Sequence, residues 1–484
     1  MTGQAAIIGG GVIGGGWAAR FLLMGWDVAV YDPDPDAERK ITAVLDNARR
    51  AAPGLYGVAL PAEGTLRHAD SIAEAVAGAD WIAESVPERL EAKHAVYAEI
   101  QAHCAADAII ASSTSGFTPT DLQRGTARPG QIIVAHPFNP VYLLPLVEVV
   151  ASPDTPASTV ETAKAVLTGL GMKPLHVRAE IDAHIADRLL EAVWREALWL
   201  VRDGVATTEE IDDAIRYGFG LRWAQMGLFE SYRLAGGEAG MRHFMAQFGP
   251  CLQLPWTRLT DVPEFTEDLV DTIADQSDAQ SGAHPIRELE AIRDANLVAI
   301  LRGLKWADWG AGQVLNLQDR RMAPPKPESF DAPIETIHRA VPLDWTDYNG
   351  HMNEAHYLTV FGHATDRFME IIGCDAAYIA TGGSFFTVET HIRHVAEVHA
   401  GARIRVRTLC LAGEGKRMHV FHELLHEDGR LLATGEHMLL HVDLGTRRAA
   451  PPADHIAEKL GRIAAAHAAL PRPEGIGRAV GQKR

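Results

Sequence analysis

QAAIIGGGVIGGGWAARFLLMGWDVAVYD, residues 4–32, decides the fold. It opens with a short apolar run at 4–8 and turns helical from Gly14 to Met24. It then closes with DVAVYD (27–32), a second apolar run ending in acid. Strand, glycine turn, helix and strand in that order make a βαβ unit. Gly9, Gly11 and Gly14 supply the Gly-x-Gly-x-x-Gly spacing. In that spacing the first glycine permits the tight turn and the second lets backbone approach a pyrophosphate. The third lets helix pack on strand. Free N–H groups at the helix start then face the phosphates. Asp32 is placed to bond the adenosine ribose. Asp34 and Asp36 would repel a 2′-phosphate and no Arg follows Asp32 directly, so NAD is expected rather than NADP.

Further runs, DWIAESV (80–86), AIIASS (108–113), QIIVAH (131–136) and LVEVV (146–150), read as strands between helical segments. A mostly parallel, doubly wound sheet follows, over residues 1–180. Beyond it the pattern is helical to residue 322. IADRLLEAVWREALWLVRDG is a long helix with a glycine stop, and Thr207 to Glu210 has capping-box spacing. RMAPPKPESFDAP (321–333) holds four prolines and reads as a semi-rigid linker, placed at 323–333. Residues 334–450 read as an α+β domain. One long helix at 354–372 precedes FFTVETHI, ARIRVRTLCL, HVFHELLHE and LLATGEHMLLHVDL, with turn chemistry in AGEGK and HEDGR. Residues 451–484 read as a polar, alanine-rich tail.

At 484 residues, two or three domains are expected. A net charge of −18 argues against a nucleic-acid partner. The glycine-rich start lacks a basic n-region, and no run is long and apolar enough for a bilayer, so no membrane association is expected. Four scattered cysteines, at 104, 251, 374 and 410, suggest a reducing, cytoplasmic setting with neither a disulfide framework nor a metal site.

Two stretches carry chemistry beyond the cofactor loop. His136 ends a strand, and Glu148 stands among Leu146, Val147, Val149 and Val150. A carboxylate there is costly to bury unless paired, and an imidazole is its natural partner. Such a couple suits general base catalysis; a structural His with a solvent-facing Glu fits the spacing equally. The second stretch, LDWTDYNGHMNEAHYL (343–358), places Asp347, His351 and Asn353 before the long helix. His351 has no second ligand at metal spacing, which favours a loop-forming role.

The glycine loop with Asp32, ASSTSG (111–116), HPFNP (136–140) and LVEVV (146–150) together resemble the 3-hydroxyacyl-CoA dehydrogenase family over residues 1–320. The resemblance implies that His136 takes the hydroxyl proton, Glu148 steadies the imidazolium and Ser115 bonds the reacting oxygen. Two positions depart from the family. Ser113 stands where Asn is usual, and Asp187 replaces the Asn of an Asn-Arg-Leu step. An anion at Asp187 suits a cationic substrate, or it pairs silently with Arg188 or another Arg. Residues 220–250 add Arg222, Trp223, Phe229, Tyr232, Phe244 and Phe248. Aromatic faces attract quaternary ammonium and Arg clamps carboxylate, although aromatics at helical spacing are most often core. The segment resembles the L-carnitine dehydrogenase branch of the family, which implies carnitine as substrate.

Asp347, Gly350, His351, Asn353 and Tyr357 fit the D-x-x-G-H-x-N-x-x-x-Y pattern of the hotdog-fold acyl-CoA thioesterases. That resemblance implies that Asp347 activates water or attacks the thioester, with His351 and Asn353 bonding substrate or shaping the loop. Betainyl-CoA, or another acyl-CoA, is the implied substrate, and a homodimer the implied assembly. The competing readings are a short-chain 3-hydroxyacyl-CoA or sugar-acid dehydrogenase with a generic thioesterase, and a dimerising protein that binds NAD without turnover.

Overall fold

The computed structural model describes residues 3–235, 240–248, 254–258 and 285–478, with isolated positions between 264 and 283. Cys251 and residues 479–484 of the tail lie outside them. The chain divides into two compact units, residues 1–55 with 61–318, and residues 56–60 with 319–484.

The first unit is built on an eight-stranded sheet of order β3-β2-β1-β4-β5-β6-β7-β8. Its strands are β1 (Gln4–Ile8), β2 (Asp27–Tyr31), β3 (Leu66–His68) and β4 (Trp81–Glu84), then β5 (Ile109–Ser112), β6 (Ile132–Pro137), β7 (Leu146–Val150) and β8 (Lys173–Val177). All neighbours run parallel except β6 and β7. Helix Val12–Leu23 packs Trp17 and Phe21 beside Trp81, with ring centroids about 6 Å apart. Strands β3 and β8 are edges with mostly exposed side chains, and so lack the apolar runs that mark the inner strands.

The antiparallel β6–β7 pair has the greatest consequence for function. Its register sets His136 directly opposite Glu148. Residues directly opposite in such a pair share a face, with Cβ atoms about 5 Å apart. After β8 the described residues to 322 hold helices and no strand. Helix Ala186–Arg202 ends before Gly204, whose φ is +68°. Thr207 and Glu210 form the reciprocal capping box.

The second unit curls five long strands round one helix, in the order β10-β13-β12-β11-β9. They are β9 (Ile334–Ala340), β10 (Gly383–His394), β11 (Arg403–Glu414), β12 (Arg417–His426) and β13 (Leu431–Asp443), with a short β14 (Arg448–Ala449) paired to β13. Helix Glu354–Ile372 buries Phe361, Ala364, Phe368 and Ile371, and stops at Gly373 in the left-handed region. It crosses close to the sheet because Gly435 has no side chain. A Cβ there would lie 2.7 Å from the Phe361 ring.

Two segments differ from their sequence reading. Within 323–333, Phe330 packs on the core of this unit, and Arg367 donates to the Pro324 carbonyl at 2.7 Å. The supposed tail contains helix Asp454–Ala468, which buries Ile456, Leu460 and Ile463. Those residues recur at helical spacing; alanine-rich composition hid the period. His467 on the same helix accepts the Cys410 N–H at 2.9 Å, beside a bulge in β11.

Two histidines lie buried between sheet and helix. His422 contacts Thr365 and Thr408 at 3.0 and 2.9 Å, and its ring lies 5.1 Å from that of His437. Burial pushes His437 down to about 4, and burial with the neighbouring ring lowers His422 well below its ordinary value. Both are held neutral. A depressed histidine leaves stability intact above the unfolded value of 6.5 and removes it as pH falls through the folded value. For His437 alone the gap corresponds to about 3 kcal/mol between pH 7 and pH 4. The melting temperature of this unit is therefore expected to fall steeply below pH 6, and His437→Gln should flatten that fall. Identical pH profiles in calorimetry of the two proteins would refute the assignment.

Candidate active sites

The cofactor cradle forms where β1 meets its helix. Gly9 takes φ +97°, and a Cβ on Gly14 would sit 1.8 Å from the Gly9 carbonyl oxygen. Gly11 meets nothing within 4 Å, so the space before it is open to a ligand. Helix Val12–Leu23 has no side-chain cap at Gly11, which leaves its first N–H groups for an anion. Asp32 lies at the mouth, accepting from the Gly10 N–H at 2.6 Å and the Asp34 N–H at 2.8 Å. These residues fit a dinucleotide: glycines where backbone must approach phosphate, and a carboxylate at the ribose position.

The second cluster stands where β6 pairs with β7, beside the loop that follows β5. The His136 Nδ1 is 3.0 Å from Glu148 Oε2, and its Nε2 is 3.3 Å from Ser115 Oγ. Glu148 is fully buried and His136 is 5% exposed, which excludes the solvent-facing alternative for the glutamate. The other Glu148 oxygen accepts the N–H groups of Ile185 and Ala186, both at 3.0 Å. Those groups begin helix Ala186–Arg202, so the carboxylate also meets the positive end of a helix dipole. Burial raises the Glu148 pKa, but the bonds from His136, Ala186 and Ile185 outweigh it and hold the carboxyl below its ordinary range. An ionised Glu148 requires Nδ1 of His136 to carry a proton. The Nε2 lone pair then faces Ser115. That geometry can take a proton from a hydroxyl placed between the two.

Asp187, on the first turn of the same helix, brings Oδ2 within 3.6 Å of His136 Nε2. Its neighbour is thus the imidazole, with which it pairs as an ion only when His136 is protonated, and no ion pair with Arg188 is found among the described residues. Ser113 is held by Trp17 Nε1 at 3.1 Å and Ser85 Oγ at 3.0 Å. Phe138 sets its ring edge-on to His136 at 4.9 Å. The buried His184, at φ +50°, places Nε2 3.2 Å from the Thr114 carbonyl oxygen; burial lowers its pKa. Sequence reasoning missed Phe138 and His184. Phe138 was signalled only as part of HPFNP, and His184 sits in an irregular loop with no pattern.

The helical residues are not brought to this cluster. Trp223 packs on Phe219 at 4.5 Å, and Tyr232 stacks on Phe244 at 4.6 Å. Phe229 is 73% exposed, and Arg222 is exposed. No contact among the described residues joins Arg222, Trp223, Phe229 or Tyr232 to His136.

In the second unit, Asp347 organises a turn. Its Oδ1 accepts from the N–H groups of Asn349 at 2.8 Å and His351 at 3.3 Å, and Gly350 takes φ +77°. No hydrogen bond to Oδ2 is found among the described residues. Asn353 caps helix Glu354–Ile372, its Oδ1 accepting from the Ala355 N–H at 3.0 Å, which gives it a loop-shaping role and leaves its Nδ2 donors out of the cap. His351 does have partners at metal spacing after all. Glu397 and His399 come against it, each offering a ligand atom within 4.8 Å of the others. Lying 46 and 48 residues further along the chain, they were beyond any local spacing rule.

Fold and clusters define the class: a dinucleotide-binding dehydrogenase with a helical second part, joined to a thioesterase-like unit. Residues 4–181 match the 3-hydroxyacyl-CoA dehydrogenase NAD binding domain, and residues 184–264 match the C-terminal domain of the same family. Residues 341–460 match the thioesterase-like superfamily. The "L-carnitine dehydrogenase/betainyl-CoA thioesterase" of Ruegeria pomeroyi is 65% identical over 481 residues, 98% of this chain and 99% of that one. The protein of that name from Agrobacterium fabrum is 59% identical, covering 93% of each chain. A crystal structure of 5-formyl-3-hydroxy-2-methylpyridine 4-carboxylic acid 5-dehydrogenase, an NAD+-dependent dismutase, is 31% identical at TM-score 0.54. It spans 63% of this chain and 99% of its own. The chain belongs to the L-carnitine dehydrogenase/betainyl-CoA thioesterase family.

Proposed function

We propose that the first unit oxidises the 3-hydroxyl of L-carnitine to give 3-dehydrocarnitine, with NAD as acceptor, and that the second hydrolyses betainyl-CoA to glycine betaine and CoA. The names of relatives at 65% and 59% identity over nearly the whole chain support both activities. The observation that carries the carnitine reading is Asp187, an anion 3.6 Å from the His136 imidazole. Carnitine has its quaternary ammonium one methylene from the carbinol carbon, so a hydroxyl at His136 sets the cation beside Asp187. A 3-hydroxyacyl-CoA has no cation there, which disfavours that alternative.

In this reading His136 Nε2 takes the hydroxyl proton, while Ser115 Oγ bonds the same oxygen. Glu148 fixes the tautomer and stabilises the imidazolium as it forms. Gly9, Gly11, Gly14 and Asp32 hold the dinucleotide, which when bound supplies the carbon that accepts hydride. Asp347 activates the water that cleaves the thioester.

Asp187→Asn is expected to raise the KM for carnitine by roughly tenfold, about 1.4 kcal/mol, with a smaller change in kcat. Rates followed at the NADH absorbance, with carnitine and with 3-hydroxybutyryl-CoA, provide the check. An unchanged KM removes Asp187 from the site. Turnover of the acyl-CoA alone would overturn the carnitine assignment.

The exposed apolar side chains Leu189, Leu190 and Trp194 on helix Ala186–Arg202 support pairing of two copies. We assign the chain before the proline-rich segment two domains, 1–180 and 181–322, and extend the domain beginning near residue 334 through the packed helix to Ala468. Among the described residues no helix is long and apolar enough to cross a membrane, and Cys104, Cys374 and Cys410 are free thiols. The free thiols support a cytoplasmic, reducing location.

A further inference from the structure

His351, Glu397 and His399 meet on one face of the second unit. His351 and His399 are opposite partners in an isolated antiparallel bridge, their ring centroids 4.6 Å apart. Between Glu397 and His399, Val398 is buried, and its carbonyl accepts the Met352 N–H at 2.8 Å. Alternation along extended backbone therefore turns Glu397 and His399 outward together, on the side of His351. His351 Nε2 lies 3.5 Å from Glu397 Oε2. That is too long for a good hydrogen bond, yet it matches the edge of a tetrahedron whose bonds are about 2.1 Å.

A second feature orients the donors. His399 Nδ1 stands 3.1 Å from the Gly350 carbonyl oxygen. A carbonyl only accepts, so Nδ1 carries the proton and Nε2 keeps its lone pair. Metal-binding histidines are commonly oriented by such an outer hydrogen bond. Gly350 belongs to the Asp347 turn, so the contact ties the ligand set to that turn. Asp347 also bonds the His351 backbone in both directions, which fixes where His351 starts.

We propose that His351, Glu397 and His399 bind one late first-row divalent ion, Zn2+ being the type case. Two imidazoles and one carboxylate are borderline ligands, suited to zinc, cobalt, nickel or copper rather than to calcium or magnesium. Three protein donors leave a position open to water. The bound ion clamps the turn that carries Asp347 to the segment 397–399 and orders it. This inference stands whichever thioester the unit cleaves.

The test is titration of the full-length protein with Co2+, read by its visible d–d absorption, followed by competition with Zn2+. With 22 histidines in the chain, the comparison with a variant decides. Glu397 is largely exposed, so Glu397→Gln leaves the fold intact, and a circular dichroism spectrum and melting curve of the metal-free full-length protein unchanged from the parent confirm that the second unit is folded. One equivalent is expected to bind the parent protein, with affinity at least tenfold weaker in Glu397→Gln and site absorption lost in Glu397→Gln/His399→Asn. Equal affinity and spectra in all three proteins mean an adventitious ion only, and overturn the proposal. So does the absence of any Co2+ absorption in the parent.

Discussion

His136→Ala is expected to lower carnitine-dependent NAD reduction by about a thousandfold, within the 10²–10⁴ that a positioned general base contributes. Hydrolysis of betainyl-CoA should change little, because His136 and Asp347 belong to different units. The alanine variant also has a structural cost. Glu148 stays fully buried and loses one of its three partners, a penalty of about 1–3 kcal/mol. The two N–H groups of Ile185 and Ala186 remain, so the carboxylate is not orphaned and the unit should still fold. His136→Asn separates the two effects, since its amide can donate to Glu148 but cannot take a proton. Both variants should show the same rate loss, with the asparagine protein the more stable. If His136→Asn kept more than a tenth of the parent rate, the imidazole would not be the base.

Much of this site is legible in the chain because its parts sit at the ends of apolar runs. His136 closes one run and Glu148 interrupts the next, and the price of burying a carboxylate demands a partner. The decisive fact, the β6–β7 register that sets one opposite the other, depends on a strand reversal that no run of apolar residues announces. Nor does the sequence disclose that Glu148 caps the helix starting at Ala186, since 37 residues separate it from the nearer N–H. The aromatic helix is less legible. Trp223 and Tyr232 pair with Phe219 and Phe244. Composition and helical spacing alone do not separate rings that pack on one another from rings that face a ligand. In the second unit the helix bounds 354–372 follow directly from Asn353 as cap and Gly373 as stop. The three-residue ligand set could not be seen, because it is assembled by a bridge between distant loops.

Asp347 should prove as necessary to the second activity as His136 is to the first, and here the choice of substitution decides what is learned. Asp347→Ala removes the acceptor for the Asn349 and His351 N–H groups as well as the charge. Loss of thioester hydrolysis in that variant would follow equally from a collapsed turn and from a missing catalyst. Asp347→Asn keeps a side-chain oxygen for both N–H groups and removes only the negative charge and basicity. If the carboxylate activates water, Asp347→Asn should lose about a hundredfold or more in kcat, with KM for betainyl-CoA close to that of the parent. Carnitine oxidation by the same protein should be untouched. Should the asparagine protein hydrolyse betainyl-CoA at near the parent rate while the alanine protein fails, Asp347 shapes the turn and another group performs the chemistry. Both N–H groups of the turn are met by Oδ1, so Oδ2 has no part in holding it and, without a hydrogen-bond partner among the described residues, is free to accept from a water molecule; that favours the loss of activity in Asp347→Asn.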